Sequence, residues 1–499
     1  MMNKLKKFLQ KLNEKEKKSR ENFNTVDNNK LDKTTVNKRS LIVLIFFIGL
    51  FLLLVIYLVI FQLTKAESLA QHDHNKRNWV NENIITRGTI YDRNKNTLVH
   101  TQRDDMGNNY RVYEYSDILA PVTGYNSVTY GKTGIEKSYN RELLDLEDKP
   151  MSKFKSMVVK SDVGNDLNLT IDANLQQISY NYLQGYTGSI VIMNAKTGEV
   201  LSLVSNPSFN PNTLDDDWQN LIQNENAPLL NRATQGLYRP GSSMKVVTSV
   251  GLIENNIDLN YNDTGSEIIQ QYEIKNFGDA VYGQLDLRSA LVNSSNTYFA
   301  KKTDELGKEK LKETTDKFLF NKEYKFDLDH SNSKIPYDQL NEVDTAMTGF
   351  GYGKTQVTPL HMAMIASAIA NDGKMMQPRL VLDVEDKDGK VLKKSEPQEI
   401  SEVTDSQTAQ QIREYMLDVV REGSGTAANV SDIQIAGKTG TAETDNGSTD
   451  AWFIGFAVDQ DPQLAIAVVI ENDGRTGGEV AAPIAGNLLR DAYYTISYN

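Results

Sequence analysis

Cysteine is absent from this chain of 499 residues, which excludes disulfide bonds, cysteine zinc sites and a thiol nucleophile. Histidine is scarce, with five residues, and the close pair His72 and His74 stands in a polar segment that favours solvated side chains over a shared metal. The pattern Gly-x-Ser-x-Gly does not occur, so a hydrolase elbow with a Ser-His-Asp triad has no support. We expect neither a metal nor another cofactor.

Basic residues are too few for a general nucleic-acid-binding protein. The chain has 54 Lys and Arg against 66 Asp and Glu, a formal net charge of −12, whereas phosphate contacts need a basic surface. The composition, 39% hydrophobic and 24% charged, is that of a globular protein. The length exceeds one ordinary domain, so we expect two or more structured units.

Long hydrophobic runs are also few, but one lies near the N-terminus. Leu41–Phe61 holds 21 residues without a charge, enough to cross a bilayer. A cleaved signal peptide would have an apolar core of about 7–15 residues, so the length favours an uncleaved anchor. Residues 1–40 carry 12 Lys and Arg against 5 Asp and Glu, a net of about +7. The positive-inside tendency therefore predicts a basic cytoplasmic tail over 1–40, a membrane helix over 41–61, and an extracytoplasmic remainder from Gln62 onward.

Residues 62–165 predict a small, extended domain after the anchor. Ile84–Tyr91 alternates like a strand, and Asp92–Asn94 has the composition of a turn. A later segment, Tyr130–Asn140, mixes turn signals with isolated apolar residues. Neither segment supplies an obvious catalytic group, so we interpret 62–165 as a spacer or pedestal.

Residues 166–499 have strand-like segments at both ends and helical patterns between them. The predicted strands are Leu167–Asp172, Gly188–Met193, Glu199–Ser205, Trp452–Val458 and Leu464–Glu471. The predicted helices are Ser294–Lys317, Pro359–Ala370, Ser406–Arg421 and Ala482–Ile496. This order predicts an α+β fold in which one antiparallel sheet, closed by the two ends of the region, is flanked by helices and joined to a helical lobe.

The stretch Tyr238–Lys245 has the strongest chemical signal. Pro240 and Gly241 end one segment, and a helix-compatible apolar run begins with Ser242 in its first turn. Ser242 and Lys245 are three residues apart and so share one helix face. Lysine can activate a serine only if its pKa falls well below about 10.4, and burial and a helix dipole both act in that direction.

The spacing Ser-x-x-Lys is not specific by itself, because it occurs three times. The other two copies, Ser152 with Lys155 and Ser331 with Lys334, lie in polar or charged stretches. Only Ser242 has a Pro-Gly stop before it and an apolar run behind it. We therefore take Ser242 and Lys245 as the candidate acylation centre.

A second motif, Ser294-Ser295-Asn296, follows in a helix-compatible segment. A hydroxyl at Ser294 could pass a proton from Lys245 to a leaving amine, and the Asn296 amide could bind a substrate peptide group. The similar Ser208-Phe209-Asn210 precedes Ser242 and breaks the order of the motifs.

A third motif is Lys438-Thr439-Gly440-Thr441. Its lysine supplies positive charge, Thr439 and Thr441 supply hydroxyls for a carboxylate, and Gly440 would let a substrate backbone approach a strand edge. Lys-Thr-Gly also occurs at Lys132 and Lys196, so the ordered set is more specific than any single member.

Taken together, these motifs resemble those of the class B penicillin-binding proteins, which are membrane-anchored peptidoglycan D,D-transpeptidases. The resemblance covers about residues 84–496. The matching segments are Arg87-Gly88-x-Ile90-x-Asp92-Arg93, Gly134-Ile135-Glu136, Tyr238-x-Pro240-Gly241-Ser242, Ser294-x-Asn296-Thr297, Val357-Thr358-Pro359-Leu360 and Lys438-Thr439-Gly440-Thr441. One departure is Gly351-Tyr352-Gly353, since relatives often have Gln between these glycines.

The resemblance implies a penicillin-binding/transpeptidase fold over 166–499, preceded by the pedestal and the single anchor. It also implies that Ser242 attacks a D-Ala-D-Ala stem terminus and forms an acyl-enzyme, which an amine from a neighbouring stem resolves as a crosslink. Lys245 would be the base, and Ser294 and Lys438 would complete the proton path. β-Lactams would acylate Ser242 because they mimic D-Ala-D-Ala.

Further roles follow from the same resemblance. Asn296 would hold the donor amide, and Thr439 and Thr441 would bind its terminal carboxylate. The backbone N–H groups of Ser242 and Thr441 would form the oxyanion hole. About 100 residues between anchor and catalytic domain cannot house a second enzymatic domain, so glycan polymerisation would come from a partner, a SEDS-type polymerase.

Two other hypotheses stay open at the level of sequence. A penicillin-hydrolysing enzyme would have the same acylation centre, but the sequence identifies no deacylating Glu or modified Lys. A structural component of the cell-wall machinery with a vestigial centre would predict that Ser242→Ala leaves crosslinking and growth unchanged.

Overall fold

The computed structural model describes residues 2–23, 38–64, 85–146, 163–458 and 460–497. His72, His74 and the Ser152/Lys155 pair lie outside the described residues. The chain forms two compact units, Met1–Asn75 and Lys76–Asn499.

The N-terminal unit contains the predicted membrane-spanning helix. Its helices are α1 (Met2–Phe23) and α2 (Lys38–Thr64). Within the described residues, one helical segment, Leu41–Phe61 in α2, is long and apolar enough to cross a membrane, and the protein buries none of it. A helix that is apolar all round and has no protein cover is typical of a lipid-facing segment.

The bounds of the elements in the second unit are as follows. The strands are β1 (Ile90–Tyr91), β2 (Thr97–Arg103), β3 (Asn109–Tyr113), β4 (Asn126–Ser127), β5 (Gly131–Lys132), β6 (Asp166–Leu169), β7 (Gly188–Asn194), β8 (Val200–Asn206), β9 (Tyr261–Asp263), β10 (Ser266–Ile269), β11 (Tyr272–Lys275), β12 (Gly283–Leu285), β13 (Lys374–Met376), β14 (Val381–Glu385), β15 (Val391–Lys394), β16 (Glu399–Glu402), β17 (Gln434–Glu443), β18 (Thr449–Val458) and β19 (Leu464–Ile470). The α-helices are α3 (Ser116–Thr123), α4 (Gly134–Ser138), α5 (Ala173–Tyr182), α6 (Leu214–Gln223), α7 (Arg232–Gln235), α8 (Lys245–Glu254), α9 (Leu287–Asn293), α10 (Asn296–Leu306), α11 (Lys308–Lys317), α12 (Glu342–Thr348), α13 (Pro359–Ala370), α14 (Ser406–Glu422) and α15 (Ala481–Ser497).

An antiparallel sheet in the order β17-β18-β19-β7-β8 is the centre of residues 166–499. Strands from the two ends of 166–499 meet where β19 pairs with β7, so the predicted closed sheet is confirmed. Alternate residues enter two apolar cores: Val191 joins the core that contains α13, and Ile192 joins the core that contains α15. Every residue of α13 is buried, which is what its mostly apolar sequence favours.

A second sheet, in the order β15-β14-β6-β1-β2-β3, joins the pedestal to residues 166–499. Its strand β1 pairs in parallel with β6, so the sheet runs across residues 165 and 166. Ile84 lies outside the described residues, and over 85–91 the predicted strand Ile84–Tyr91 is mostly wrong, since of these residues only Ile90–Tyr91 form a strand. The reason is local: Gly88 N–H donates to the loop carbonyl of Leu143 at 2.9 Å, and a Cβ on Gly88 would lie 1.9 Å from the Asn165 carbonyl oxygen.

The pedestal contains a buried ionic triad. Glu136 is fully buried and contacts Arg87 Nε at 2.5 Å and Arg111 Nη2 at 2.7 Å. Burial alone would raise the pKa of Glu136, but the two guanidinium groups outweigh burial and hold the pKa below its usual value. The triad ties the segment before β1 to β3 and α4.

The predicted helix Ser294–Lys317 is wrong at its start and is divided within. Ser294 has φ 60 and ψ 38, a left-handed conformation that separates α9 from α10. Gly307 has φ 80 and separates α10 from α11. The periodicity of the sequence could not reveal these breaks, because neither interrupts the apolar pattern.

Candidate active site

Ser242 lies in a single 3-10 turn, Gly241–Met244, that leads directly into α8. Gly241 has φ 53, a left-handed conformation that favours glycine. The carbonyl of Pro240 accepts a 2.6 Å hydrogen bond from the Ser243 hydroxyl, and the Trp452 indole N–H donates to the Arg239 carbonyl at 3.1 Å. These contacts fix the turn, and Ser242 is half-buried within it.

Lys245 is fully buried and directs its amine toward the second motif. Its Nζ donates to the Ser294 carbonyl at 2.7 Å, to Asn296 Oδ1 at 2.8 Å and to Ser294 Oγ at 3.3 Å. Burial, and then the charge of Lys438, lower the pKa of Lys245 well below its ordinary value. The amine therefore has the low proton affinity that the sequence argument required of a base.

Ser294 lies between two amines. Lys438 Nζ donates to Ser294 Oγ at 2.9 Å, and Lys245 reaches the same oxygen from the other side. The left-handed conformation of Ser294 allows its carbonyl and its hydroxyl both to face Lys245. Asn296 Nδ2 donates to the Lys275 carbonyl at 3.2 Å, which directs Oδ1 toward Lys245.

Lys438 lies on β17, the edge strand of the central sheet. Burial lowers its pKa to about 7. Its Nζ also donates to the Thr439 carbonyl at 3.1 Å and lies 3.4 Å from Ser424 Oγ. The hydroxyls of Ser424 and Thr439 are 2.7 Å apart, so a group of hydroxyls surrounds the amine of Lys438.

Gly440 and Thr441 lie against the turn that carries Ser242. A Cβ on Gly440 would be 2.6 Å from the Pro240 carbonyl oxygen, so glycine is required for the turn to approach β17. A Cβ on Gly241 would be 3.0 Å from the backbone nitrogen of Thr441. The Thr441 hydroxyl accepts a 3.1 Å hydrogen bond from Gly477 N–H, which leaves its proton available to an anion.

Three neighbours of the site were not found from the sequence: Ser424, Gly477 and Gly351. Gly351 accepts a 3.1 Å hydrogen bond at its carbonyl from Gly241 N–H, and a Cβ on Gly351 would lie 1.9 Å from the Gly241 carbonyl oxygen. Each residue stands in a glycine-rich stretch: Gly423-Ser424-Gly425, Gly477-Gly478 and Gly351-Tyr352-Gly353. The feature of the sequence that could have identified these three residues is a set of closely spaced glycines next to polar residues.

The other copies of the short motifs have structural contacts elsewhere. Ser331 donates to the Gln235 carbonyl at 3.3 Å, and Ser208 donates to the Asp117 carbonyl at 2.7 Å. Lys196 lies in the turn between β7 and β8, as predicted. The structure therefore brings together one copy of each motif.

Chemically, the site offers a half-buried serine in the turn before α8 and two buried amines of lowered proton affinity that both contact the Ser294 hydroxyl. In the part of the chain that the structure describes, no carboxylate forms a hydrogen bond or ion pair with Lys245, Ser294 or Lys438. Proton transfer at this site would consequently involve amines and hydroxyls. Such an arrangement fits acyl transfer to a serine.

Comparison with known proteins adds the family context. Residues 188–490 match the penicillin binding protein transpeptidase domain, and residues 87–165 match the penicillin binding protein A dimerisation domain. The peptidoglycan D,D-transpeptidase PbpA of Mycolicibacterium smegmatis is 30% identical over 475 residues, which cover 87% of this chain and 94% of that relative.

Solved structures show the same fold. The D,D-transpeptidase domain of a peptidoglycan glycosyltransferase from Eggerthella lenta is 33% identical, with a TM-score of 0.76 over 83% of this chain and 100% of that one. Penicillin-binding protein A from M. tuberculosis, solved as an imipenem acyl-enzyme complex, is 28% identical, with a TM-score of 0.77 over 83% and 100% of the two chains.

Proposed function

This chain belongs to the penicillin-binding protein transpeptidase family, and we propose that it is a peptidoglycan D,D-transpeptidase that works through an acyl-enzyme on Ser242. The observation that supports the proposal most is the hydroxyl of Ser294, which accepts hydrogen bonds from both Lys245 and Lys438. Two lysines contact one serine hydroxyl next to the turn that carries Ser242. Together these groups form a path along which a proton could pass without a carboxylate.

In the acylation step, the Ser242 oxygen forms an ester with the carbonyl carbon of the penultimate D-Ala. The proton of Ser242 passes to neutral Lys245 and then through Ser294 to the departing nitrogen. The peptide bond breaks and the terminal D-Ala leaves as an amine. Lys245 is suited to this work because burial, and then the charge of Lys438, lower its pKa and so favour its neutral form.

Different groups of the site would bind the oxyanion and the terminal carboxylate of the donor stem peptide. Backbone N–H donors of Ser242 and Thr441 would stabilise the oxyanion, and each donor in such a hole can be worth about 3–4 kcal/mol. Lys438, Thr439 and Thr441 would bind the terminal carboxylate through charge and hydroxyl donors. Asn296 would hold the donor amide.

In the second step, the amine of a neighbouring stem peptide attacks the ester. Its proton returns through Ser294 and Lys245 to Ser242 as the ester bond breaks, so the free enzyme is regenerated and an amide crosslink forms. Water would compete with the amine only if a group activated it. The absence of a contacting carboxylate among the described residues favours a long-lived ester over rapid hydrolysis, and so favours a transpeptidase over a penicillin-hydrolysing enzyme.

The cellular setting proposed for this reaction is the outer face of the membrane. Lys38 and Arg39 precede the apolar segment Leu41–Phe61, and this asymmetry supports a cytoplasmic N-terminus. The catalytic unit would then face the wall, where stem peptides and β-lactams reach it. Glycan strands would come from a separate SEDS-type polymerase.

The experiment that tests this function supplies the full chain with uncrosslinked glycan strands that carry pentapeptide stems. We expect release of D-Ala together with crosslinked stems from wild type and from Ser331→Ala, and neither product from Ser242→Ala. Ser331 is the matched control because it begins another copy of Ser-x-x-Lys and its hydroxyl donates to the Gln235 carbonyl rather than to a group of the site. Equal product from Ser242→Ala, or no product from wild type, would reject the proposal, and rapid turnover of penicillin would favour the hydrolase.

A further inference from the structure

A small module between α8 and α9, residues 261–285, lies under the Ser294–Asn296 turn. It consists of the strands β9 to β12, paired as β10 with β11 and β9 with β12. Two of its polar residues are buried: Asp263 is 1% exposed and Asn276 is 4% exposed. Buried polar groups are expensive unless they are hydrogen-bonded, so their partners indicate what they do.

Asn276 binds the beginning of α10. Its Oδ1 accepts hydrogen bonds from the backbone N–H groups of Asn296 at 2.8 Å and Thr297 at 3.1 Å. The next N–H, of Tyr298, donates to the Ser295 hydroxyl at 3.1 Å. The first N–H groups of a helix have no partner within the helix, and here Asn276 supplies an acceptor from 20 residues upstream.

Asp263 holds Asn276 in place. Asn276 Nδ2 donates to the Asp263 carboxylate, whose oxygens lie 3.0 and 2.8 Å away, and also to the Ala280 carbonyl at 3.0 Å. The carboxylate also accepts from the hydroxyls of Ser295 at 2.8 Å and Thr297 at 2.9 Å. Burial would raise the pKa of Asp263, but these hydrogen bonds and that from Gly265 N–H hold it below its usual value. The carboxylate is therefore ionised, and an anion with these donors fixes their positions firmly.

The same module also sets the orientation of the Asn296 side chain. The carbonyl of Lys275, the residue before Asn276, accepts from Asn296 Nδ2 at 3.2 Å. The opposite end of that amide, Oδ1, is consequently the end that faces Lys245. Both backbone and side chain of Asn296 thus depend on residues 275 and 276.

Ser294 needs such support because of its backbone. It is a non-glycine residue with φ 60, a conformation that is unfavourable for a residue with a Cβ and persists only where neighbours determine it. Its hydroxyl must nevertheless stay between Lys245 and Lys438. On the basis of the proposed function, we propose that Asp263 and Asn276 are positioning residues, a clamp that holds Ser294 and Asn296 against Lys245 during acylation of Ser242.

The clamp makes a specific kinetic prediction for the full-length chain. In Asn276→Ala the acceptor for two N–H groups is lost, and the limiting rate of acylation by a fluorescent penicillin should fall at least tenfold. The half-saturating penicillin concentration should change less than threefold, because Lys438 and Thr441 are not touched. Asp263→Asn keeps the size of the side chain and removes its charge, so it should show a smaller loss in the same limiting rate. This variant tests the clamp if Asn276→Ala does not fold.

The matched control is Ile274→Ala, which removes a buried apolar side chain from β11 in the same module. All variants are measured at least 10 °C below their own unfolding midpoints. We expect the control to unfold at a lower temperature but to keep its limiting rate within twofold. An equal loss of rate in the control, or a wild-type rate in Asn276→Ala and Asp263→Asn, would overturn the clamp.

The same assay separates the clamp from the function on which it rests. If Ser242→Ala loses the label while Asn276→Ala is labelled at the wild-type rate, the clamp is rejected and the transpeptidase proposal stands. If Ser242→Ala is still labelled, the proposed function fails, and the clamp fails with it.

Discussion

At the scale of single residues, the site depends on two buried lysines that share one serine hydroxyl. Lys245 and Lys438 are each fully buried, and each has a lowered pKa. Two ammonium groups so close would repel each other, so the neutral form of at least one is favoured. The neutral form is favoured more strongly at Lys245, because burial and the charge of Lys438 both lower its pKa.

The pKa of Lys438, lowered by burial to about 7, gives a pH prediction. The amine is charged below that pH and becomes neutral as the pH rises through it. Because the proposed carboxylate contact needs the cation, penicillin acylation should decline by up to about tenfold per pH unit above 7. Stopped-flow or gel-based labelling between pH 6 and 9 measures the decline.

Lys438→Met is the control for this profile. It should be slow at every pH and should show no decline between pH 7 and 9, since the titrating group is gone. A wild-type rate that does not decline above pH 7, or a decline that persists in Lys438→Met, would contradict the proposed carboxylate contact.

Ser424 provides a second prediction at this scale. Its hydroxyl pairs with that of Thr439 at 2.7 Å, so Ser424→Ala should leave Thr439 free to rotate away from the carboxylate. One such hydrogen bond is worth about 1 kcal/mol, which corresponds to roughly a fivefold lower acylation rate by a carboxylate-bearing penicillin. Ser431→Ala, in an exposed loop, should match wild type, and an unchanged rate in Ser424→Ala would exclude this role.

The residues of the site differ in how far the sequence could predict them. Ser242, Lys245, Ser294 and Lys438 stand in short motifs with a defined order, and the structure brings them together, although their catalytic roles stay predictions. Ser424 belongs to no such motif. It reaches Thr439 only because α14 ends beside β17, and a contact of that kind depends on tertiary packing.

At the scale of elements, the loop Gly351–Gly353 supports the turn that carries Ser242. The carbonyl of Gly351 binds Gly241 N–H, whereas the Tyr352 ring packs on Phe350 at 5.3 Å between centroids. The backbone of the loop therefore makes a direct contact with the turn, and a backbone contact of this kind does not require a particular side chain at position 352.

The loop gives a paired prediction. Gly351→Ala places a methyl group against the Gly241 carbonyl at a residue with φ 83, and we expect loss of acylation by at least tenfold together with about 1–3 kcal/mol of stability. Tyr352→Gln should keep the acylation rate within about threefold. Penicillin labelling measures the acylation rate of each variant, and unfolding in denaturant measures its stability. Slow acylation in Tyr352→Gln together with wild-type acylation in Gly351→Ala would contradict the role of the loop backbone.

Elements were predictable where local signals agreed with packing. Pro359–Ala370 was predicted as a helix and is one to the residue, because Pro at its start and a mostly apolar run suit a fully buried helix. Ser294–Lys317 was predicted as one helix and is two, α10 and α11, preceded by the left-handed Ser294. Asn276 accepts hydrogen bonds from the first N–H groups of α10, and this contact joins residues that are distant in sequence.

At the scale of the whole molecule, the pedestal and the catalytic region share the sheet β15-β14-β6-β1-β2-β3. Sequence composition suggested a boundary near residue 165, but it could not show that β1 pairs with β6 across it. Pairing of this kind joins strands distant in sequence and leaves no local signal. The class of fold and the family were nevertheless predictable from the order of the motifs, and both are confirmed.

The buried triad in the pedestal should contribute to the stability of this unit. Glu136→Gln removes the anion between Arg87 and Arg111 and leaves two buried cations, a change that typically costs about 3–5 kcal/mol. Glu114→Gln is the control, because Glu114 is 47% exposed beside His100, and it should change stability by less than about 0.5 kcal/mol. Unfolding of the full chain in denaturant measures both, and a loss below about 1 kcal/mol in Glu136→Gln would contradict a structural role for the triad.

The acyl-enzyme on Ser242 is tested most directly by mass spectrometry of the full chain after incubation with penicillin, followed by proteolysis. We expect one adduct with the mass of a whole penicillin molecule, on the peptide that contains Ser242, persisting for minutes to hours. The adduct should be present in Ser331→Ala and absent from Ser242→Ala. An unmodified wild-type chain, or an adduct that remains in Ser242→Ala, would contradict it.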